Sequence, residues 1–563
     1  MPAVSNTVRT QHGLVTGWRD SHPLCLTSSA RITDDGGRQP VAKWLAIPYA
    51  RAERFQRPTS PETWSTPKDC FEFGSQFPQP PSNTELLLAR LPGFLLRTHI
   101  PTSEDSHFIN VFAPGDVQEG EELPVLVWIY GGALNNGDAG RFFYDPTELV
   151  RDGAARGQRC IVVTLNYRTN VFGFCASKDL QDEDPRGLCG NYGLYDVVAA
   201  LEWVQANIAA FGGSPARVTA FGQSAGAFIV SHLLVGGKKL FQRAICQSGA
   251  VNTMMLRPVE KAYPAYEPML VSLGVDLATS TPASRLAALR AAPADALLQL
   301  HTASHNLSGL SLTLEPKGEG IWTEDTMERL RRGERDEWVK EVIMGVTEDE
   351  GTIFAQMMGL LTPAAFAAYL SQFPTALQPR LKTLYLPPSG EHPEPGTCAL
   401  TEAPASRLLA DQVFVHPVWD QACALASAAK VFLYRLRTGP SSLRTHPVAS
   451  QLGIFHSIDL PLVFNGASLW TGAAAAGREG EAEADKASAE AVGSRWLAFA
   501  ISGEPDPAWP AFDPAAPAQL VFGHGGATSV ESLADFAEGK LELRFAGEED
   551  EGAGEEVLGK ADE

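Results

Sequence analysis

The chain has 563 residues, of which 44% are apolar and 20% are charged, a balance typical of a protein that folds around a large core. Its formal net charge of −21 repels phosphate backbones and anionic lipids, so nucleic acid is excluded as an expected partner. Neither a secretory signal pattern nor an apolar run of membrane-spanning length is visible. We therefore expect a soluble, cytoplasmic protein without stable membrane insertion.

Short apolar runs, several rich in Val and Ile, recur between stretches of helical pattern. They begin at residues 123, 160, 217, 243, 339 and 431. Runs of this kind, bounded by Gly and Pro, predict an α/β fold with a large sheet covered by helices on both faces. The Ala- and Glu-rich segment 471–491 predicts a surface loop or a frayed polar helix. Residues 1–545 are expected to form one domain, followed by an acidic, disordered tail at 546–563.

The first apolar run ends in a glycine-containing turn, YGGAL at 130–134. Its small residues would let backbone amides approach a substrate carbonyl and stabilise the negative charge that develops there, as in an oxyanion hole. Glycine-rich turns after strands are frequent, so this turn does not by itself identify an enzyme.

The most specific motif is FGQSAGA at 221–227, which continues the strand-like run at 217 and precedes a helix-compatible segment. A serine with a glycine two positions away on either side can occupy a sharp strand-to-helix turn, where its hydroxyl projects above the sheet. The N-terminal amides of the following helix would face developing negative charge. In this context the motif predicts a nucleophile at Ser224, whereas an isolated GxSxG match would carry little weight.

A serine nucleophile requires a histidine base and an acid that orients it, and in α/β-hydrolases the chain order is Ser, acid, His. The run at 339 ends in TEDEG, and the residues alone do not choose among Glu348, Asp349 and Glu350. Among twelve histidines, His456 follows the last strand-like run in a loop that can reach the serine. Its position favours His456 without excluding the other histidines.

Cysteine and histidine spacing gives little support to a metal site. The eight cysteines are dispersed without a CxxC pair, which argues against zinc ribbons and dithiol redox motifs. His301 and His305 have the i, i+4 spacing of a metal pair, but no third ligand is apparent, and we expect both on the surface. We predict no metal and no cofactor.

These segments, with others spread over nearly the whole chain, resemble the type B carboxylesterase and lipase family, which includes the cholinesterases and fungal lipases. The likeness runs from WLAIPYARAERFQRP (44–58) through NYRTNVFGF, the FGQSAG motif and GIFHSIDLPLVF to WLAFAISGEPDPAWP. The resemblance implies an α/β-hydrolase fold with a mostly parallel central sheet. It also implies a serine carboxylic-ester hydrolase that acts through an acyl-enzyme on a moderately apolar, small-molecule ester.

Carried over position by position, the resemblance implies a catalytic triad, an oxyanion hole and two supporting residues. These are Ser224 as nucleophile, Glu350 as acid and His456 as base, the amides of Gly132, Ala133 and Ala225 as oxyanion donors, and Ser248 and Gln223 in support. Ser248 would lie beside the acid and hold it, or be an ordinary hydrogen-bonded serine at a strand end.

The chain departs from the family pattern at several positions. Gln223 stands where many relatives carry Glu, and a neutral amide cannot pair with a quaternary ammonium, which disfavours choline esters as substrates. Ala133 replaces a glycine but keeps its N–H. Phe77 and Ser106 stand where secreted members have a disulfide, which agrees with a reducing compartment.

Segment 83–100 is rich in leucine and corresponds to the lid of fungal lipases in this family. It is expected to be either an apolar flap over the site or an amphipathic helix packed on the body. A triacylglycerol lipase and a transesterase or lactone-forming enzyme are the alternatives among enzymes. A non-catalytic interaction protein is the alternative from another class, but such relatives usually lack the serine that is present here.

Overall fold

In the computed structural model, the described residues are 6–20, 39–82, 100–254, 256–304, 310–393, 396–466 and 477–536. The predicted lid at 83–100, apart from Ile100, the predicted tail at 546–563 and His305 lie outside the described residues.

The strands alternate with helices along most of the chain. In chain order the strands are β1 (Asn6–Arg9), β2 (Leu14–Asp20), β3 (Val41–Pro48), β4 (Lys68–Asp69), β5 (Phe108–Pro114), β6 (Leu123–Ile129), β7 (Ile161–Leu165), β8 (Gly213–Gln223), β9 (Arg243–Gln247), β10 (Leu256–Arg257), β11 (Leu312–Thr313), β12 (Glu341–Thr347), β13 (Lys430–Leu436), β14 (Ala518–Phe522) and β15 (Thr528–Ser532).

The helices vary from single turns to one of more than six turns. They are α1 (Thr147–Ala155), α2 (Asn170–Phe174), α3 (Lys178–Glu183), α4 (Tyr192–Asn207), α5 (Ala225–Leu233), α6 (Val259–Ala262), α7 (Tyr266–Ser272), α8 (Pro282–Ala291), α9 (Ala294–Ser304), α10 (Thr326–Arg331), α11 (Thr352–Met357), α12 (Pro363–Leu370), α13 (Gln378–Tyr385), α14 (Pro404–Ala410), α15 (His416–Ala426), α16 (Ser441–Arg444), α17 (Leu460–Val463) and α18 (Glu479–Ser502). No helix in the described ranges is both long and apolar enough to cross a membrane.

The main sheet has the strand order β1-β2-β3-β5-β7-β6-β8-β9-β12-β13-β14-β15. Neighbours from β7 to β14 are parallel, and the strands at both edges are antiparallel. All six predicted strand runs lie in this parallel part, so the predicted α/β fold is confirmed. Their continuous apolar character reflects burial on both faces, as expected of parallel strands.

Helices flank both faces of the sheet, as two neighbouring residues of β9 demonstrate. The Sγ of Cys246 lies 3.4 Å from Ser231 Oγ of α5, whereas Gln247 Oε1 lies 3.1 Å from Trp496 Nε1 of α18. Because successive side chains of a strand point to opposite faces, α5 and α18 cover opposite faces. The carboxyl ends of β6, β8, β9 and β12 are adjacent at one edge of these layers, where open α/β sheets bind ligands.

Hydrogen bonds join the chain on either side of segment 77–100. The amide of Gln76 donates to Pro101 O at 2.8 Å, and the amide of Ser103 donates to Gln76 O at 2.9 Å. Ser106 Oγ lies 2.7 Å from Ser75 Oγ. These contacts join the two stretches of chain that carry Phe77 and Ser106.

Candidate active site

Ser224 lies at the turn between β8 and α5, with φ 56° and ψ −126°. A positive φ costs a residue with a side chain about 1–3 kcal/mol, so the surrounding structure must hold the turn. Its amide donates to Gln247 O at 2.8 Å, and its carbonyl oxygen accepts from the amide of Phe228 at 2.9 Å. A Cβ added to Gly226 would lie 2.0 Å from Ile129 O. The glycine spacing of the motif is therefore a packing requirement, because the turn crosses directly over β6.

Glu350 is fully buried just beyond the end of β12, and three donors surround its carboxylate. Oε1 accepts from Ser248 Oγ at 2.5 Å and from the amide of Thr347 at 2.7 Å. Oε2 lies 2.6 Å from His456 Nδ1. Since a carboxylate only accepts hydrogen bonds, this contact assigns the Nδ1 proton to the imidazole and leaves Nε2 as an acceptor in the neutral ring.

The three acidic residues that the sequence left open point in different directions. Glu348 forms an ion pair with Arg437 at 2.9 Å and is partly exposed. Asp349 accepts from the amide of Ile454 at 2.7 Å, which fastens the loop that leads to the histidine. Of the three, Glu350 is the one whose carboxylate meets His456.

Two aromatic rings hold the imidazole of His456 in place. The ring centroid of Phe414 lies 4.6 Å from that of His456, and that of Phe354 lies 5.1 Å away. On the far side of the ring, Gln223 Nε2 lies 3.1 Å from His456 Nε2. In this arrangement the side-chain amide of Gln223, and not the Ser224 hydroxyl, is the hydrogen-bond partner of His456 Nε2. The Ser224 hydroxyl forms no hydrogen bond with a described residue.

The glycine turn after β6 adopts a conformation that most side chains avoid. Gly132 has φ 115°, and Ala133 and Leu134 have φ 54° and 60°. The amide of Asn135 donates to Gly132 O at 2.9 Å, and the amide of Asn170 donates to Leu134 O at 2.7 Å. Contacts from outside the turn therefore compensate for an unfavourable local backbone.

Three amides near Ser224 have no acceptor within the described part of the chain. They belong to Gly132, Ala133 and Ala225. Ala225 is buried and is the first residue of α5, and the N–H groups in the first turn of a helix have no partner within the helix. Unsatisfied amides at a helix N-terminus and in a neighbouring turn are suited to binding an oxyanion.

A second buried carboxylate near the histidine was not anticipated from the sequence. Asp459 Oδ2 accepts from Gln247 Nε2 at 2.6 Å, and Gln247 Oε1 in turn accepts from Trp496 Nε1 at 3.1 Å. Burial raises the pKa of Asp459 to about 6. An acidic residue three positions after His456 was the only signal in the sequence that could have indicated it.

The expectation that His301 lies on the surface is wrong, because its side chain is 1% exposed. Its Nδ1 lies 2.9 Å from Tyr263 Oη and its Nε2 lies 2.9 Å from Asn135 Oδ1. The i, i+4 pattern described the spacing of the two histidines but gave no information about the residues that bury His301. Among the described residues, no group of three or more His, Cys, Asp and Glu side chains could hold a metal ion.

The family model described as "Carboxylesterase family" matches residues 29–528, and the chain therefore belongs to that family. It is 31% identical to para-nitrobenzyl esterase of Bacillus subtilis (strain 168) over 519 residues, covering 87% of this chain and 93% of the relative. It is 29% identical to carboxylesterase 1D of Rattus norvegicus over 536 residues, covering 88% and 89%.

A solved structure of a thermophilic PNB esterase superposes with a TM-score of 0.72 at 28% identity, covering 95% of this chain and 99% of that chain. The structural likeness shows the α/β-hydrolase fold, and the family model and the relatives show the class of enzyme. The protein is a carboxylic ester hydrolase.

Proposed function

We propose that the protein hydrolyses a moderately apolar carboxylic ester through a triad of Ser224, His456 and Glu350. The observation that carries this proposal is the contact of 2.6 Å between Glu350 Oε2 and His456 Nδ1, beside the turn that presents Ser224. It fixes the tautomer in which Nε2 can accept a proton from a serine hydroxyl. The Gln223 amide must move away from Nε2 for that transfer.

In the first half of the reaction, Ser224 Oγ attacks the ester carbonyl carbon while its proton passes to His456 Nε2. The carbonyl oxygen becomes an oxyanion that accepts hydrogen bonds from the amides of Gly132, Ala133 and Ala225. When the C–O bond of the alcohol breaks, the imidazolium returns the proton to the leaving oxygen. The products are the free alcohol and an acyl group on Ser224.

In the second half, His456 takes a proton from a water molecule, whose oxygen attacks the acyl carbon. Collapse of the second tetrahedral intermediate returns the proton to Ser224 Oγ and releases the carboxylic acid. Glu350 stabilises the imidazolium and is itself held in place by the hydrogen bonds that its buried carboxylate accepts from Ser248 and Thr347.

The surroundings of the histidine favour neutral, apolar substrates. Phe354 and Phe414 provide aromatic surface next to His456. Gln223 is buried and uncharged, so the position before the nucleophile offers no counter-ion to a quaternary ammonium. We infer that uncharged esters are hydrolysed in preference to choline esters.

The proposal is tested with p-nitrophenyl esters of increasing acyl length, together with a choline ester, using the wild-type chain and Ser224→Ala. We expect hydrolysis of the neutral esters by the wild type, a much lower rate with the choline ester, and loss of activity in Ser224→Ala. A Ser224→Ala variant that keeps full activity would end the assignment of the nucleophile. Preference for the choline ester would refute the role given to Gln223.

A further inference from the structure

The buried side chain of His301 joins helix α9 to the glycine turn beside the nucleophile. It lies between Tyr263 Oη and Asn135 Oδ1, at 2.9 Å from each. Asn135 is 166 residues away in sequence and follows directly after the turn that contains Gly132 and Ala133. The proposed reaction steps make no use of Tyr263, His301 or Asn135.

The direction of this chain of hydrogen bonds follows from the chemistry of its members. An amide oxygen only accepts, so Asn135 Oδ1 requires a proton on His301 Nε2. Nδ1 of the neutral ring is then an acceptor. The single proton of the Tyr263 hydroxyl can go to Nδ1 at 2.9 Å or to Met269 Sδ at 3.4 Å, and the nitrogen is the stronger and nearer acceptor, so Tyr263 donates to His301. The two rings are also nearly parallel, with an interplanar angle of 9° and centroids 6.1 Å apart. Tyr263 therefore orients His301, and His301 fixes the side chain of Asn135.

Asn135 is coupled to the turn through its backbone as well as its side chain. Its amide donates to Gly132 O at 2.9 Å, and its carbonyl oxygen accepts from Asn170 Nδ2 at 3.1 Å. Because Ala133 and Leu134 both have positive φ, the turn does not hold its shape through local preference. Its contacts with the rest of the protein decide where its amides point.

We propose that Tyr263 and His301 are positioning residues for the oxyanion hole, acting through Asn135. This inference rests on the proposed function, since it assigns a purpose to the amides of Gly132 and Ala133. The oxyanion exists in the transition state and not in the bound ester. Loss of the anchor should therefore lower kcat and weaken binding of an oxyanion analogue, while KM changes little.

The experiment compares His301→Phe, His301→Gln and Tyr263→Phe with the wild type. It measures kcat and KM for p-nitrophenyl acetate, and the inhibition constant of an aryl trifluoromethyl ketone, whose adduct with a serine places an oxyanion in the hole. Tyr369→Phe is the matched control. It removes a tyrosine hydrogen bond of 2.7 Å to Gln412, in a separate hydrophobic cluster.

For His301→Phe we expect kcat to fall on the order of 10- to 100-fold, since a misplaced donor costs less than a deleted one. The inhibition constant of the ketone should rise by a similar factor, with KM within about twofold. His301→Gln, whose Nε2 can still donate to Asn135, should recover much of the loss. Tyr263→Phe should show a smaller loss in the same direction, and Tyr369→Phe none.

Two results would overturn the inference and leave the proposed function intact. One is unchanged kcat and ketone binding in His301→Phe and Tyr263→Phe when Ser224→Ala is inactive. The other is an equal loss in His301→Gln and His301→Phe. If the wild type and Ser224→Ala hydrolyse the ester equally, the proposed function fails first and this inference falls with it.

Discussion

Replacing Glu350 with glutamine tests the acid of the proposed triad with minimal change in shape. The new amide oxygen can still accept from Ser248 and Thr347, which now donate to Oε1. The amide nitrogen would then face His456 Nδ1 in place of Oε2. Because an amide N–H only donates, it would favour the tautomer with an unprotonated Nδ1 and a proton on Nε2. That imidazole cannot accept a proton from Ser224.

The expected loss in kcat is about 10⁴-fold, the size seen when an aspartate of a serine protease triad is replaced by its amide. This factor corresponds to about 5 kcal/mol of transition-state stabilisation. KM should change little, because the imidazole and its aromatic neighbours keep their positions. The burial and hydrogen bonds of Glu350 support this large effect, since water cannot substitute for the missing charge.

The assay is steady-state hydrolysis of p-nitrophenyl acetate, with Glu348→Gln as the matched control. Glu348 is the same residue type, two positions away, but its carboxylate pairs with Arg437. We expect the control to keep wild-type activity. A loss of less than tenfold in Glu350→Gln, or an equal loss in Glu348→Gln, would refute the assignment of the acid.

Two further predictions concern the packing and the charge around the site. Gly226→Ala should destabilise the protein by about 3 kcal/mol or more, because its Cβ would meet a carbonyl oxygen of β6 at 2.0 Å. Gly480→Ala is the control, because open space surrounds the new methyl group there. Equal stabilities of Gly226→Ala and Gly480→Ala in urea denaturation would contradict the close approach at Gly226. Burial raises the pKa of Asp459 from 3.8 to about 6, so the folded state holds this proton more tightly than the unfolded chain. Stability should therefore fall as pH rises from about 4 to about 6. Asp459→Asn should gain up to about 3 kcal/mol relative to the wild type across that window, and a difference between the two proteins that does not vary with pH would refute the shift.

The sequence predicted the parallel strands and the strand-to-helix turn at Ser224 well, because both depend on local patterns. Strands buried on both faces must be continuously apolar, and the crossing of the turn over β6 permits no side chain at Gly226. Helix α18 was harder to predict from the sequence, since its Ala- and Glu-rich first half suggested a surface loop or a frayed polar helix. Packing of Ala489 and Trp496 into the core gives it an ordered inner face from residue 479 onward.

The residue pattern alone left three consecutive acidic residues open, although the family resemblance implied Glu350, and the burial of His301 required the tertiary structure. Glu348 and Glu350 have the same side chain and differ only in their neighbours. Glu348 meets Arg437 in an exposed ion pair, whereas Glu350 is buried against His456. The side chain of His301 contacts that of Asn135, which is 166 residues away and which no local sequence pattern could connect to it. Residues that act through distant contacts leave no spacing signal in a single sequence.

The central claim, that Ser224 is a hydroxyl activated by His456, is tested most directly by covalent labelling with a fluorophosphonate followed by peptide mass spectrometry. The account predicts one adduct, on the peptide that contains Ser224, absent from Ser224→Ala and formed far more slowly in His456→Ala. An adduct on a different serine, or no adduct in a preparation that hydrolyses esters, would contradict it.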